Sequence, residues 1–235
     1  MFKIAKQTTF AALITGSLIF AGCSDDDNDG NILGSFTPVQ NASVLIVHAS
    51  PDAPGVDILV DDAQAVTNLT FPKNTGYVDL PSGTRNVQVN VTNSATTVIE
   101  ADLKLDAEKS YSVFAVNSVS SIEPLVLVDD LSTPASGKAH VRFVHLSPDA
   151  PAVDIAVASG GPVVFGDVSF KEYKGFTPLD AGTYNLEVRL ANSSTVVLPL
   201  GGITLQSGKI YTVFAKGFVS GTGSQALGAE IIVNK

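Results

Sequence analysis

The 235-residue chain has no tryptophan, one methionine and one cysteine, and its aromatic residues amount to 7%. A single thiol, Cys23, excludes an internal disulfide, so the folded part must stand on packing alone. Without tryptophan a broad stacking platform for sugars is excluded, and Tyr77, Tyr173 and Phe176 are left for a smaller one. Basic residues are also scarce: 14 Lys and Arg stand against 23 Asp and Glu, a net charge of −9. No Lys/Arg cluster is present to neutralise a row of phosphates, which excludes nucleic acid as a partner and leaves the acidic surface to solubility. Charged residues make up only 16% against 45% hydrophobic ones, so the chain is not a disordered polyelectrolyte over most of its length. Beyond the first 22 residues no stretch holds a 3.6-residue apolar period over three turns, and a helical fold is excluded as well.

What is present begins with a leader. Met1 to Gly22 carries Lys3 and Lys6, then an apolar run from Phe10 to Phe20, then small residues. This is the layout of a secretory signal, too short for a flanked bilayer-spanning helix. Phe20-Ala21-Gly22-Cys23 resembles the lipobox of bacterial lipoproteins, with Phe20 where Leu is usual. The resemblance implies that residues 1–22 are removed and that Cys23, acylated with palmitate-type chains, becomes the N-terminus. A plain signal peptide with an incidental cysteine is the alternative. Two acyl chains suffice for stable anchoring, each buried CH₂ contributing about 0.8 kcal/mol. Ser24 after the cysteine, by resemblance to Gram-negative lipoproteins, implies sorting to the outer membrane of the cell envelope. Residues 23–42, with Asp25-Asp26-Asp27-Asn28-Asp29-Gly30, read as an acidic flexible tether. They lack the Gly-turned loop and distal Glu of a Ca²⁺ cage.

The rest of the chain is a duplication. Val47-His48-Ala49-Ser50-Pro51-Asp52-Ala53-Pro54-Gly55-Val56-Asp57-Ile58 returns as Val144-His145-Leu146-Ser147-Pro148-Asp149-Ala150-Pro151-Ala152-Val153-Asp154-Ile155. Gly182–Val188 then answers Gly83–Val89, and Tyr211-Thr212-Val213-Phe214-Ala215 answers Tyr111-Ser112-Val113-Phe114-Ala115. Short β-rich segments parted by Gly, Pro, Asn and Ser turns predict an all-β chain. Its expected form is two tandem seven-stranded sandwiches, immunoglobulin-like or transthyretin-like, over 43–130 and 139–235, joined by a linker at 131–138. Tyr111 and Tyr211 are expected as core or corner tyrosines. Gly160-Gly161 and Gly201-Gly202 are expected in turns, with no helix following to make a phosphate loop.

Alternation places Val44, Ile46 and His48 on one face of a strand, and Val141, Phe143 and His145 on the matching one. The opposite face carries Leu45 and Val47 in one copy but Arg142 and Val144 in the other. The arginine marks that face as the wetter one, so both histidines end the core-facing row. A neutral imidazole there needs partners for both ring nitrogens, and turn backbone is the nearest source. Pro51 and Pro148 set a type I turn after Ser50 and Ser147, Asp52 and Asp149 can accept from backbone N–H, and Pro54 and Pro151 return the chain to extended form. Asp57 and Asp154 fall on the face opposite Val56 and Val153, away from the histidines.

Three chemistries compete for this signature. His, Ser and Asp are triad residue types, but a strand spacing of two leaves His and Ser roughly 6–7 Å apart, with no oxyanion donors nearby. A metal site from His48, Asp52 and Asp57 is chemically permitted, though it lacks a second His or a Glu at strand spacing. A structural corner, with His and Asp bonded to backbone, asks least of the residues present. No catalytic residue, cofactor or metal is therefore assigned. The expected role is a non-enzymatic binding or structural module that meets the membrane through its lipid and an envelope protein or glycan through its surface. The alternative is a metal-dependent binder or enzyme built on the duplicated His/Asp corner.

Val-His-x-Ser-Pro-Asp-Ala-Pro-x-Val-Asp-Ile, followed by a Gly-Thr turn and a Tyr-x-Val-Phe-Ala strand, resembles the bacterial domain family of unknown function DUF4397. It occurs twice and covers nearly everything beyond the tether, with Arg85 in one copy where Tyr184 stands in the other. The resemblance implies extracytoplasmic β-rich domains, often in lipoproteins or cell-wall-attached proteins. It implies no reaction and no catalytic residues.

Overall fold

The structure, a computed structural model, describes residues 40–235. The leader, Cys23 and the acidic run at 25–29 lie outside the described residues. Among the described residues sixteen strands follow one another, eight in each half. The first half holds β1 (Asn41–His48), β2 (Val56–Val60), β3 (Ala63–Leu69), β4 (Asn74–Pro81), β5 (Gly83–Val91), β6 (Thr97–Leu105), β7 (Ser110–Val116) and β8 (Glu123–Asp129). The second holds β9 (Lys138–His145), β10 (Val153–Val157), β11 (Val163–Val168) and β12 (Tyr173–Asp180). It closes with β13 (Gly182–Leu190), β14 (Val196–Leu205), β15 (Ile210–Lys216) and β16 (Gly228–Val233).

Each half is a sandwich of two four-stranded sheets, ordered β4-β1-β7-β8 and β3-β2-β5-β6 in the first, β12-β9-β15-β16 and β11-β10-β13-β14 in the second. The chain is all-β, in two tandem sandwiches. In an immunoglobulin fold the first, second, fifth and fourth strands share a sheet. Here β1 and β2 lie in different sheets and β1 runs parallel to β7, as β9 does to β15, which is the transthyretin-like alternative.

Seven strands per sandwich were expected and eight are present. The extra ones, β3 and β11, are edge strands interrupted by register shifts against β2 and β10. Most of β3 is exposed, so Ala63-Gln64-Ala65-Val66-Thr67-Asn68-Leu69 carries no apolar alternation to read. A second correction concerns Gly201-Gly202, which lies inside β14 rather than in a turn. Pairing with β13 shifts between Leu186–Gly201 and Glu187–Pro199, and Gly201 takes φ +66° in the resulting bulge.

The inner faces of each sandwich form its core. Val44, Ile46, Tyr111 and Val113 meet Val56, Ile58, Val87 and Val89 in the first; Val141, Phe143, Tyr211 and Val213 meet Val153, Ile155, Leu186 and Val188 in the second. A third apolar cluster joins the two halves: Leu45, Val47, Phe114, Val116 and Leu127 of the first with Val144, Leu146, Phe214 and Ile232 of the second. The outer faces of the β1 and β9 sheets thus cover one another, giving four sheets in series. Phe114 and Phe214, equivalent by repeat, touch edge to face with centroids 6.2 Å apart. Contact between equivalent residues is the mark of a two-fold interface, here within one chain.

This overturns the reading of the Arg142 face as wet. Arg142 is 1% exposed and reaches across the joint. Its guanidinium donates to Asp129 Oδ1 at 2.5 Å, Ser112 Oγ at 2.6 Å and Thr212 Oγ1 at 2.9 Å, and lies 4.6 Å from the Phe176 ring centroid. Ser112 Oγ and Tyr77 Oη donate to Asp129 Oδ2, Asn234 Nδ2 donates to Tyr77 Oη, and Thr212 donates to Asn234 Oδ1. Burial first, then the Asp129 carboxylate, raises the Tyr77 phenol well above its ordinary value. A charge taken out of water survives only when paired and fully hydrogen-bonded, and this network meets that condition.

Candidate functional site

The signature forms one end of each sandwich. Strand β1 delivers His48 to the last core-facing position, and the Pro51–Asp52 turn folds the chain back so that Pro54 lies against the ring. His48 Nε2 donates to the Pro54 carbonyl at 3.0 Å, and His145 Nε2 to the Pro151 carbonyl at 3.1 Å. A carbonyl only accepts, so the proton sits on Nε2 in both rings. The histidines are 1% and 0% exposed, and burial holds both imidazoles below their ordinary pKa and neutral. The expectation that both ring nitrogens would be bonded fails. Nδ1 of each histidine has no hydrogen-bond partner among the described residues.

The carboxylates are occupied by backbone. Asp52 Oδ1 accepts from the Val119 N–H at 2.8 Å, and Asp149 Oδ1 accepts from the Val219 N–H at 2.9 Å, so each turn grips the loop leaving β7 or β15. Asp57 Oδ1 accepts from the Asn68 N–H at 2.7 Å and the Thr92 hydroxyl at 2.9 Å. Asp154 accepts from the Asp167 N–H at 2.7 Å and the Asn192 N–H at 3.0 Å. Asn68 and Asp167 have φ of 49° and 51° where the edge strands slip register, which frees the very N–H groups that the carboxylates take up. The bond from Asn68 is the chief reason that the Asp57 carboxyl sits below the usual carboxylate range.

The serines differ between copies. Ser147 Oγ donates to the Gly217 carbonyl at 2.6 Å, while the equally buried Ser50 Oγ has no partner among the described residues. His48 and Asp57 lie on opposite faces of their sandwich layers, and no group of three His, Cys, Asp or Glu able to hold a metal occurs among the described residues. Tyr111 and Tyr211 are buried corner residues whose hydroxyls accept from the Asp106 and Gln206 N–H groups. Tyr77, Tyr173 and Phe176 make no platform: the first belongs to the buried network, the last underlies Arg142, and Tyr173 stands half exposed.

Sequence reasoning missed the Arg142–Asp129 network. The signal was an arginine in an apolar strand and an aspartate closing β8, a pairing that neither local pattern discloses.

The solved structures similar to this chain include the C-terminal domain of AlgF from P. aeruginosa, 24% identical, with a TM-score of 0.32 over 41% of this chain and 98% of that one. No curated protein matches the chain. The domain of unknown function DUF4397 matches residues 42–156 and again 157–234. The first match runs past the first sandwich through β9 into β10, so the matched segments and the sandwiches divide the chain at different points. By these two matches, which span most of its length, the chain belongs to the DUF4397 family and carries the domain twice in tandem.

Proposed function

We propose that this protein is a lipid-anchored module of the cell envelope that binds or braces rather than catalyses. Cys23 carries the acyl chains, the acidic stretch after it is a spacer, and the paired sandwiches are a rigid head. One observation supports the non-enzymatic reading above the rest: in both copies the histidine and the two aspartates are spent on the protein's own backbone. The one ring nitrogen left unbonded, Nδ1, is shut away from solvent in both neutral histidines, where it meets neither a substrate nor a cation. Ser24 directs the molecule to the outer membrane, where an envelope protein or glycan is the partner in view.

Cells fed a clickable palmitate analogue should label the wild-type protein and not Cys23→Ala, with the labelled form in outer-membrane fractions. Equal labelling of both, or recovery with the inner membrane, removes the anchor from this account. Metal at one equivalent or more in the purified protein, with a melting midpoint that falls on chelation, would replace it with the metal-dependent alternative.

A further inference from the structure

The two corners share a plan but not an interior. Beside His145 lies a cavity of about 180 Å³, walled by Pro151, Val153, Val188, Leu190 and Leu198, with Val197, Val219 and Leu227 at its rim. The void that touches His48 instead runs through the first core, past Val60, Leu80 and Leu103, and amounts to about 30 Å³. The difference traces to one loop. The connection from β15 to β16 takes eleven residues, 217–227, where that from β7 to β8 takes six, 117–122. Ile122 at the end of the short loop packs into the first core, whereas Leu227 at the end of the long one stands at the rim.

The longer loop is built, not slack. Phe218 N–H donates to Gln225 O at 2.8 Å, Gly221 N–H to Phe218 O at 3.0 Å and Gln225 N–H to Thr222 O at 3.1 Å. The backbone closes so tightly that a Cβ on Gly221 would lie 2.2 Å from Gln225 O. Asp149 holds its near end through the Val219 N–H. Val197 and Val219 are 39% and 54% exposed, so an apolar rim leads from solvent to the apolar wall. No charged side chain lines the space. A comparable cavity of about 150 Å³ lined by aliphatic and aromatic residues stays dry and takes up benzene.

We propose that the second sandwich binds a small, neutral, hydrocarbon-like molecule, about the size of one aromatic ring, in the cavity between His145 and the 217–227 loop, and that the first sandwich does not. Water gains nothing there, since it would meet carbon on nearly every side. An ion or sugar would lose its hydration without replacement bonds. The inference rests on the reading of the protein as a binding module, but its test addresses the cavity alone, so its failure leaves the lipid anchor and the backbone-bonded corners untouched.

The test is a titration of the full chain, carrying Cys23→Ala to keep acyl chains out of the assay, with toluene and methyl-resolved NMR. Saturable shifts at Val188, Leu190, Val197 and Leu198, with the equivalent Val89, Val91, Val98 and Ile99 unmoved, are the expected result. Ala150→Leu, which fills the cavity from a half-buried position, should weaken the effect by about tenfold or more. Absence of saturable shifts, shifts spread over both sandwiches, or undiminished binding by the folded Ala150→Leu protein would each overturn the proposal.

Discussion

Each histidine of the signature is a buried neutral base whose one proton is given to a carbonyl six residues on. Removing the ring leaves that carbonyl unpaired and a gap at the end of the core, so His48→Ala should lower unfolding free energy by roughly 1–3 kcal/mol in chemical denaturation. A variant as stable as wild type would remove the corner's structural role. The pH dependence carries the same signature. Folded pKa values lie below the ordinary 6.5, so between about 6.5 and the depressed native values the unfolded chain binds protons that the native one refuses. Stability from these groups is therefore full above pH 6.5 and drains away as the pH falls through that window. Replacing both histidines should flatten the curve there, while the loss attached to carboxylates such as Asp57, whose pKa is also lowered, comes at more acidic pH. Most of this was legible from residue types and spacing: His, Pro and Asp at a strand end point to backbone bonding. The bare Nδ1 atoms and the unpartnered Ser50 were not, because they depend on where the next sheet stops.

At the scale of elements, β1 and β9 are strands buried on both faces, and the joint between their sheets is asymmetric in a coordinated way. Arg142 stands where the first copy has Leu45, and Asn234 stands where the first copy has Asp129. The charged pair is thus formed once, between halves, and its mirror position is Leu45 with Asn234, which needs no countercharge. Arg142→Leu alone strands a buried Asp129 and should cost about 3–5 kcal/mol. Arg142→Leu with Asp129→Asn reproduces the other side of the joint and should recover most of that loss. A double variant no better than the sum of its singles would show that the pair is not coupled. Strands β3 and β11 teach the opposite lesson: they were illegible because edge strands bury little, and their position is held by Asp57 and Asp154 through bulge N–H groups rather than by apolar alternation.

For the whole molecule, the third apolar cluster and the Arg142 network make residues 40–235 one compact unit with two cores rather than two beads on a string. The linker between β8 and β9 is mostly exposed; the Lys235 ammonium donates to Leu131 O and Thr133 Oγ1, and Gly137 is bonded to Ser207 and Ala181 of the second half. A protease site placed at 135–136 should therefore nick the chain without parting it, the halves eluting together in gel filtration under native conditions. Separate elution after the cut would assign the association to the covalent link. The cavity beside His145 adds a property that the fold alone does not require.

The order of residues was enough to determine two β modules, the repeat that relates them, the core-facing row ending in histidine, and the turn chemistry of Ser-Pro-Asp-Ala-Pro. These are local matters: alternation, φ restriction and short-range hydrogen bonding act within a few residues and leave their trace in sequence. Tertiary structure alone decided that the other face of β1 and β9 would be dry, that Arg142 would find Asp129, and that one corner would be filled and its twin left hollow. Those outcomes come from sheets and loops meeting across long stretches of chain, and a strand's own alternation records that it has two faces without recording what will cover the second.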